Sequence, residues 1–168
     1  MPRLVSTWLL ACYALAACTG SPSPAPDAQT ADNADLQFCI DETNRYRAMD
    51  GKPPIARSTR IEQYAAVGAA LDTQQQRAHG HFGDTSGGNG IAFAENACPS
   101  WFGWSLGTGA NPVQDAIGEC LKAFYDEGAG MGDAHGHYNN LMSDNAAVGC
   151  GLYVSNETDI TIIQDFGP

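Results

Sequence analysis

Basic residues are scarce in this chain. Its 168 residues include 8 Lys and Arg against 19 Asp and Glu, which gives a net charge of −11 at pH 7. Nucleic-acid binding depends on clustered Lys and Arg that neutralise phosphates. The composition therefore excludes nucleic acid as a partner, and the acidic surface mainly confers solubility.

Several catalytic and metal-binding motifs are also absent. The chain has no Cys-x-x-Cys pair, no His-Glu-x-x-His and no Ser or Cys beside a His in a nucleophile motif. These absences count against a zinc thiolate site, a zincin peptidase and a serine or cysteine hydrolase. The glycine-rich residues 83–90 lack the Lys of a phosphate-binding loop, and we predict a mobile loop there.

The chain has one long apolar run, at its N-terminus. Residues 1–17 carry Arg3 and then an apolar stretch from Trp8 to Ala17, which is typical of a secretory signal and too short to span a bilayer. Leu15-Ala16-Ala17-Cys18 resembles a bacterial lipobox, in which Cys18 would be acylated and become the first residue of the mature protein. The alternative is an ordinary signal peptide cut at a small residue.

A polar tether follows the signal. Residues 18–34 are rich in Ser, Pro, Ala and Asp and contain too little apolar surface to fold. Residues 35–168 have the length and apolar content of one domain. We therefore expect an exported protein, either secreted or held at the cell envelope through an acyl anchor in the membrane.

The predicted domain contains four cysteines, Cys39, Cys98, Cys120 and Cys150. Exported chains meet an oxidising compartment, so two disulfides are expected. Four cysteines allow three connectivities. We prefer Cys98 with Cys120, which closes a local loop, and Cys39 with Cys150, which joins the first helix to a late strand.

Hydrophobic periodicity predicts three helices and three strands. The helices cover residues 36–46, a segment from Thr59 to about Arg77 with Thr59 and Glu62 as a capping box, and a segment that starts at Asn111-Pro112 and continues through Phe124. The strands cover residues 91–97, 147–154 and 159–166, and the last two form an antiparallel hairpin. This order of helices and strands predicts an α+β domain or a three-layer α-β-α sandwich.

All four histidines fall in two similar pentapeptides. These are Ala78-His79-Gly80-His81-Phe82 and Ala134-His135-Gly136-His137-Tyr138. Imidazole is the commonest metal ligand and titrates near neutrality. Glu95 and Glu127 lie between the two pentapeptides in apolar surroundings, where a carboxylate needs a partner. The four groups together predict a single cleft.

Six short motifs occur in a recognisable order. They are Asn44-x-x-Arg47, the histidine after the second helix, Ala94-Glu95-Asn96, Phe124-Tyr125-Asp126-Glu127, Gly136-His137-Tyr138 and Val148-Gly149-Cys150-Gly151. In this order they resemble the CAP superfamily, or SCP domain, of cysteine-rich secretory proteins, antigen-five allergens and plant pathogenesis-related proteins. The resemblance covers residues 35–166 and is typical of a bacterial branch, because Ala94 and Phe124 replace the usual Gly and Trp.

The resemblance implies an α-β-α sandwich with a small central antiparallel sheet and a cleft lined by two histidines and two glutamates. The matching positions are His137, Glu95, Glu127 and either His79 or His81. We prefer His79 because it follows the helix end directly. Asn96 and Tyr138 adjoin these motifs and are assigned to the ligand cleft.

The four groups suit a divalent metal. Two neutral imidazoles and two carboxylates carry a summed charge of −2, which one divalent ion neutralises. Zinc accepts both donor types. We predict that His79 and His137 bind it, with Glu95 and Glu127 as further ligands or as groups that orient the rings. The alternative is a metal-free network in which a protonated histidine pairs with each glutamate. In both interpretations we assign structural roles beside the site to His81 and His135.

Three functions remain open. The first is a binding module for an extracellular lipid, glycan or peptide. The second is a peptidase, in which a water bound to zinc, or activated by Glu95 or Glu127 as general base, attacks a carbonyl. The third is a structural or interaction domain. We favour the binding module because the sequence lacks the usual hydrolase motifs. Trp101, Phe102 and Trp104 form a possible lipid-contact loop if exposed, or else cap the core.

Overall fold

The computed structural model describes residues 32–168. The predicted signal peptide, Cys18 and most of the tether lie outside these residues. The first helix begins at Asn33, where the Asp32 side chain accepts a hydrogen bond from the backbone N–H of Ala34. Asn33 and Ala34 therefore belong to the domain, although the sequence assigned them to the tether. None of the helices between residues 32 and 168 has the length and apolar character that crossing a bilayer requires.

Five helices and a four-stranded sheet form the domain. The helices are α1 (Asn33–Met49), α2 (Thr59–Gln75), α3 (Gly80–Gly90), α4 (Pro112–Asp126) and α5 (Gly136–Leu141). The strands are β1 (Ala56–Arg57), β2 (Ala94–Cys98), β3 (Ala147–Val154) and β4 (Ile160–Gly167), and short 3-10 helices cover Ser100–Phe102 and Asp133–His135. The sheet order is β1-β3-β4-β2, with β1 parallel to β3 and the other pairs antiparallel.

The sheet lies between two helical layers, which confirms the predicted α-β-α sandwich. The larger core joins the sheet to α1 and α4, and a smaller core under α2 contains Ala65, Ala69, Tyr153 and Ile163. Nearly every position of β3 and β4 is buried, as expected for strands covered on both faces. The β3–β4 hairpin has the predicted antiparallel pairing, whereas the short parallel strand β1 was not predicted.

Glycines in β3 let α2 approach the sheet closely. A Cβ atom added at Gly151 would lie 2.1 Å from the carbonyl carbon of Ala65, and one at Gly149 would lie 2.3 Å from the backbone nitrogen of Glu62. No side chain fits into these contacts. The smaller core is therefore built by backbone contact between helix and strand.

Two disulfides connect the helical layer to the sheet. Cys39 of α1 is bonded to Cys150 of β3, and Cys98 of β2 is bonded to Cys120 of α4. Both pairings are those preferred from the sequence. Each bond joins one strand to the layer that contains α1 and α4.

The start of α2 differs from the predicted capping box. The N-cap is Ser58, whose hydroxyl accepts a hydrogen bond from the backbone N–H of Ile61, and Thr59 is the first helical residue. Glu62 does not reach back to the cap because Arg57 Nε donates to its Oε1 at 2.6 Å. The capping-box prediction was wrong, since the N-cap is one residue earlier than predicted and the third helical position is Ile61 rather than Glu62.

The predicted loop at residues 83–90 was wrong for residues 83–85, which continue α3, whereas residues 86–89 leave helical geometry. Asp72 of α2 accepts hydrogen bonds from the backbone N–H groups of Gly80 and His81, at 3.0 and 2.7 Å, and so caps the new helix from outside it. Residues 86–89 then form a left-handed turn with φ between 51° and 64°. Glycine adopts such φ values without strain, which accounts for Gly87 and Gly88.

Candidate functional site

His79 and Glu95 form one half of the site. His79 is the residue before α3, and its Nδ1 lies 2.7 Å from Oε1 of Glu95 on β2. The Glu95 side chain is only 1% exposed, so the imidazole separates it from solvent. The hydrogen bond to Glu95 raises the pKa of His79, and burial of the ring opposes this shift.

Glu127 and His137 form the other half. Glu127 follows the last residue of α4, and its Oε1 lies 2.5 Å from His137 Nδ1. Its Oε2 accepts the backbone N–H groups of His137 and Tyr138 at 2.9 and 3.3 Å, which places a carboxylate at the N-terminus of α5. The Phe124 ring stacks on the His137 ring, with centroids 4.7 Å apart. His79 and His137 therefore each have one glutamate partner. The sequence predicted that these four residues share a cleft but not which glutamate holds which ring.

A cavity of about 300 Å³ joins the two halves. Its lining includes His79, Glu127, His137, Phe102 and Trp104, together with Ala78, Ala97, Cys98, Pro99, Ala123 and Phe124. The structure thus brings three of the four predicted site residues to one cavity, and the fourth, Glu95, supports His79 from behind. Because both Nδ1 atoms face carboxylates, Nε2 is the ring nitrogen left to each histidine for a ligand.

The other two histidines do not line the cavity. The His81 ring packs against Tyr64, with centroids 4.7 Å apart. His135 Nδ1 lies 2.9 and 3.0 Å from the backbone carbonyl oxygens of Glu127 and Gly128, to which it donates. His79 is therefore the histidine of the first pentapeptide that reaches the cavity.

Asn96 and Tyr138 lie outside the cavity, contrary to their assignment to a ligand cleft. Asn96 is fully buried, and its side chain donates to the carbonyl of His137 at 3.0 Å and accepts from Asn140 at 2.9 Å. The Tyr138 hydroxyl donates to Asp50 at 2.6 Å, and this hydrogen bond raises the pKa of Tyr138 to about 12. Both residues hold α5 in place because their polar groups are engaged with protein atoms.

Two of the three aromatic residues in the predicted lipid-contact loop reach the cavity. Phe102 is 71% exposed and lines the cavity together with the half-buried Trp104. Trp101 does not line it, and its ring packs against Phe102 with centroids 5.7 Å apart. None of the three rings is fully buried. The loop therefore leaves aromatic surface exposed beside the cavity.

The donor geometry limits how a metal could be held. Between residues 32 and 168, no three His, Cys, Asp or Glu side chains converge as a metal site. Both glutamates face Nδ1 atoms, which is the position of groups that orient histidine ligands rather than of ligands themselves. A direct role for Glu95 and Glu127 as ligands does not fit this arrangement.

Asp165 is a site-associated residue that the motifs did not identify. It lies on β4, fully buried, and pairs in register with Glu95 of β2. Burial, and then the negative charge of Glu95, raise the pKa of Asp165 to about 9. A signal for it was present in the sequence, since Asp165 is the one charged residue within the strand of residues 160–167.

Comparisons with known proteins agree with this architecture. Residues 40–166 match the model of the cysteine-rich secretory protein family, CAP. The fold is similar to the crystal structure of Na-ASP-1, with a TM-score of 0.55, 14% identity and coverage of 83% of this chain and 40% of that one. It is also similar to NaASP2, solved with Zn2+, with a TM-score of 0.54, 15% identity and coverage of 84% and 83%. A search of curated proteins found no match.

These likenesses differ in what they show. This chain spans about two fifths of the length of Na-ASP-1, and at 14% and 15% identity the two structures establish the fold alone. The family match covers most of the chain, from the middle of α1 to the end of β4. The two disulfides are typical of extracellular proteins, and the matched family is one of secretory proteins. The chain belongs to the CAP family of cysteine-rich secretory proteins.

Proposed function

We propose that this is an exported, membrane-anchored CAP protein whose cavity binds one zinc ion and, beside it, an extracellular ligand. The observation that carries the proposal is the matched pair of hydrogen bonds, His79 to Glu95 and His137 to Glu127, at a shared cavity. Each carboxylate fixes one imidazole through Nδ1 and leaves Nε2 for coordination. This is how histidine ligands of metals are commonly oriented.

The donor set fits zinc with two protein ligands. His79 and His137 would hold the ion, and the charges of Glu95 and Glu127 would offset its two positive charges. Two protein ligands are fewer than the three or four of most zinc sites, so we expect weaker binding than in a closed structural site. Bound zinc would supply a positive centre that attracts an anionic or carbonyl oxygen of the ligand. The structure of NaASP2 with Zn2+ supports the choice of metal.

The carboxylates favour binding over hydrolysis. Glu127 accepts from the His137 ring and from two backbone N–H groups, so its oxygens are engaged. Glu95 is sealed behind His79. A general base needs an accessible oxygen within hydrogen-bonding reach of the proton it removes. Glu95 offers none, and Glu127, which lines the cavity, already uses both oxygens to hold His137 and α5.

The ligand should combine polar and apolar parts. The cavity places the imidazoles of His79 and His137 near the exposed ring of Phe102 and the half-buried ring of Trp104. Exposed aromatic rings beside a polar cavity are typical of a binding site. A lipid, glycan or peptide outside the cell would satisfy both regions, and the acyl anchor at Cys18 would hold the domain near the membrane.

Zinc uptake tests the proposal directly. Tag-free protein equilibrated with zinc and desalted should retain about one zinc per chain by inductively coupled plasma mass spectrometry. The double variant His79→Ala and His137→Ala should retain none, whereas His81→Ala, outside the cavity, should bind like wild type. Equal retention in the double variant and wild type would contradict the assigned ligands.

A further inference from the structure

Three buried side-chain oxygens lack a hydrogen-bond partner within the part of the chain that the structure describes. They are Oε2 of Glu95 and both carboxyl oxygens of Asp165. The two residues are register partners on the antiparallel strands β2 and β4. Directly opposed residues of such strands project from the same face with Cβ atoms about 5 Å apart. The unpartnered oxygens therefore belong to one adjacent pair of carboxyl groups.

Two ionised carboxylates in this position would be costly. Each would be desolvated, and their like charges would repel each other. The α2 helix supplies no base that could neutralise the two carboxylates. It contributes the acidic Asp72 and the phenol Tyr64 to the same surroundings. Asp72 already accepts the backbone N–H groups of Gly80 and His81. A single proton shared by the pair satisfies both carboxyl groups.

The raised pKa of Asp165, caused first by burial and then by the charge of Glu95, places that proton on Asp165. Both oxygens of the fully buried Asp165 lack a partner, whereas Oε1 of Glu95 already lies 2.7 Å from His79 Nδ1. The two carboxyl groups thus lie in different environments.

We propose that Asp165 is a positioning residue of the site, a neutral carboxylic acid that donates a hydrogen bond to Oε2 of Glu95. Glu95 accepts at both ends, from Asp165 at Oε2 and from His79 Nδ1 at Oε1. This relay keeps the neutral His79 ring in the tautomer with its proton on Nδ1. The Nε2 lone pair then faces the cavity. The relay depends on the His79–Glu95 hydrogen bond and not on zinc.

Infrared spectroscopy of the metal-free protein at pH 7 tests for the proton. Wild type should show the C=O stretching band of a protonated carboxylic acid, and Asp165→Asn should lose it. Asp133→Asn, at an exposed carboxylate, is the matched control and should keep the band. A wild-type spectrum without the band, or its survival in Asp165→Asn, would overturn the assignment.

Nitrogen NMR of the His79 ring tests the positioning role. Asp165→Asn retains an N–H donor to Glu95 and should keep the wild-type tautomer, with Nδ1 protonated. Asp165→Leu has a similar size but no donor, so the second tautomer should increase. Unchanged ring shifts in a folded Asp165→Leu protein would show that Asp165 does not position His79. If that variant does not fold, the infrared comparison decides. Both readouts are obtained without zinc, so failure of zinc uptake would leave them valid.

Discussion

Glu127 and His137 are joined through two separate hydrogen bonds. Oε1 of Glu127 lies 2.5 Å from Nδ1 of the His137 ring, and Oε2 accepts the backbone N–H of the same residue at 2.9 Å. One carboxylate thus both caps the start of α5 and orients the side chain that α5 presents. The local stability of α5 and the geometry of the site are coupled through this residue.

Glu127→Gln should weaken both functions. Gln keeps one carbonyl oxygen but replaces the other acceptor with an NH2 group, which cannot accept from His137. We expect a loss of about 1–3 kcal/mol in the free energy of unfolding, measured by urea denaturation, and at least about tenfold weaker zinc binding, measured by competition with a chelator. Glu157→Gln, in the exposed turn between β3 and β4, is the control. Equal values for the two variants would refute the double role.

Asp165 should make stability depend on pH. Its carboxyl group titrates near pH 4 when unfolded and at about 9 when folded. Below pH 4 the folded and the unfolded state both hold the proton, so the stability that depends on the protonated Asp165 is fully present there. Between pH 4 and 9 only the folded state holds it, and the free energy of unfolding should fall by at most about 1.4 kcal/mol for each pH unit.

Asp165→Asn removes that proton linkage. The variant should therefore gain stability relative to wild type as the pH is raised from 5 to 8, as measured by urea denaturation midpoints. Asp133→Asn controls for the change in net charge and should follow wild type. A constant difference between Asp165→Asn and wild type across this range would show that Asp165 has an ordinary pKa.

A methyl group should have opposite effects at two glycines. Gly151→Ala places a Cβ within 2.1–2.3 Å of backbone atoms of Ala65 and Ala66, so α2 must move, and we expect a loss of about 3 kcal/mol or more. Gly118→Ala, in α4, meets no atom within 4 Å and should stabilise the protein by about 0.5–1 kcal/mol. Both are measured by urea denaturation. A neutral Gly151→Ala would contradict the close packing of α2 on β3.

Cys18→Ser should release the protein from the membrane fraction. Two acyl signals hold a protein at a bilayer far more firmly than one, and loss of the cysteine removes the site for all of them. Cys12→Ser lies earlier in the same apolar run and should leave the protein with the membranes. Fractionation followed by immunoblotting distinguishes the two. Wild-type protein found wholly in the soluble fraction would rule out acylation.

Local patterns predicted much of the secondary structure. The α4 helix begins where Asn111-Pro112 indicated, and β3 has the predicted bounds. The first turns of α3 were missed, because their cap comes from Asp72, a side chain of another helix. The short α5 helix is capped in the same way by Glu127. Sequence periodicity carries no information about caps supplied from elsewhere in the fold.

By itself, the sequence determined the family and the histidine and glutamate types at the site, because these depend on residue identity and order. It left three disulfide connectivities possible, and the fold decided between them. Only the tertiary structure decided that His79 rather than His81 faces the cavity, that each glutamate holds one ring nitrogen, and that Asp165 lies beside Glu95. These relationships depend on strand register and helix packing between residues far apart in the chain. Distances of a few ångströms between such residues are set by the whole fold.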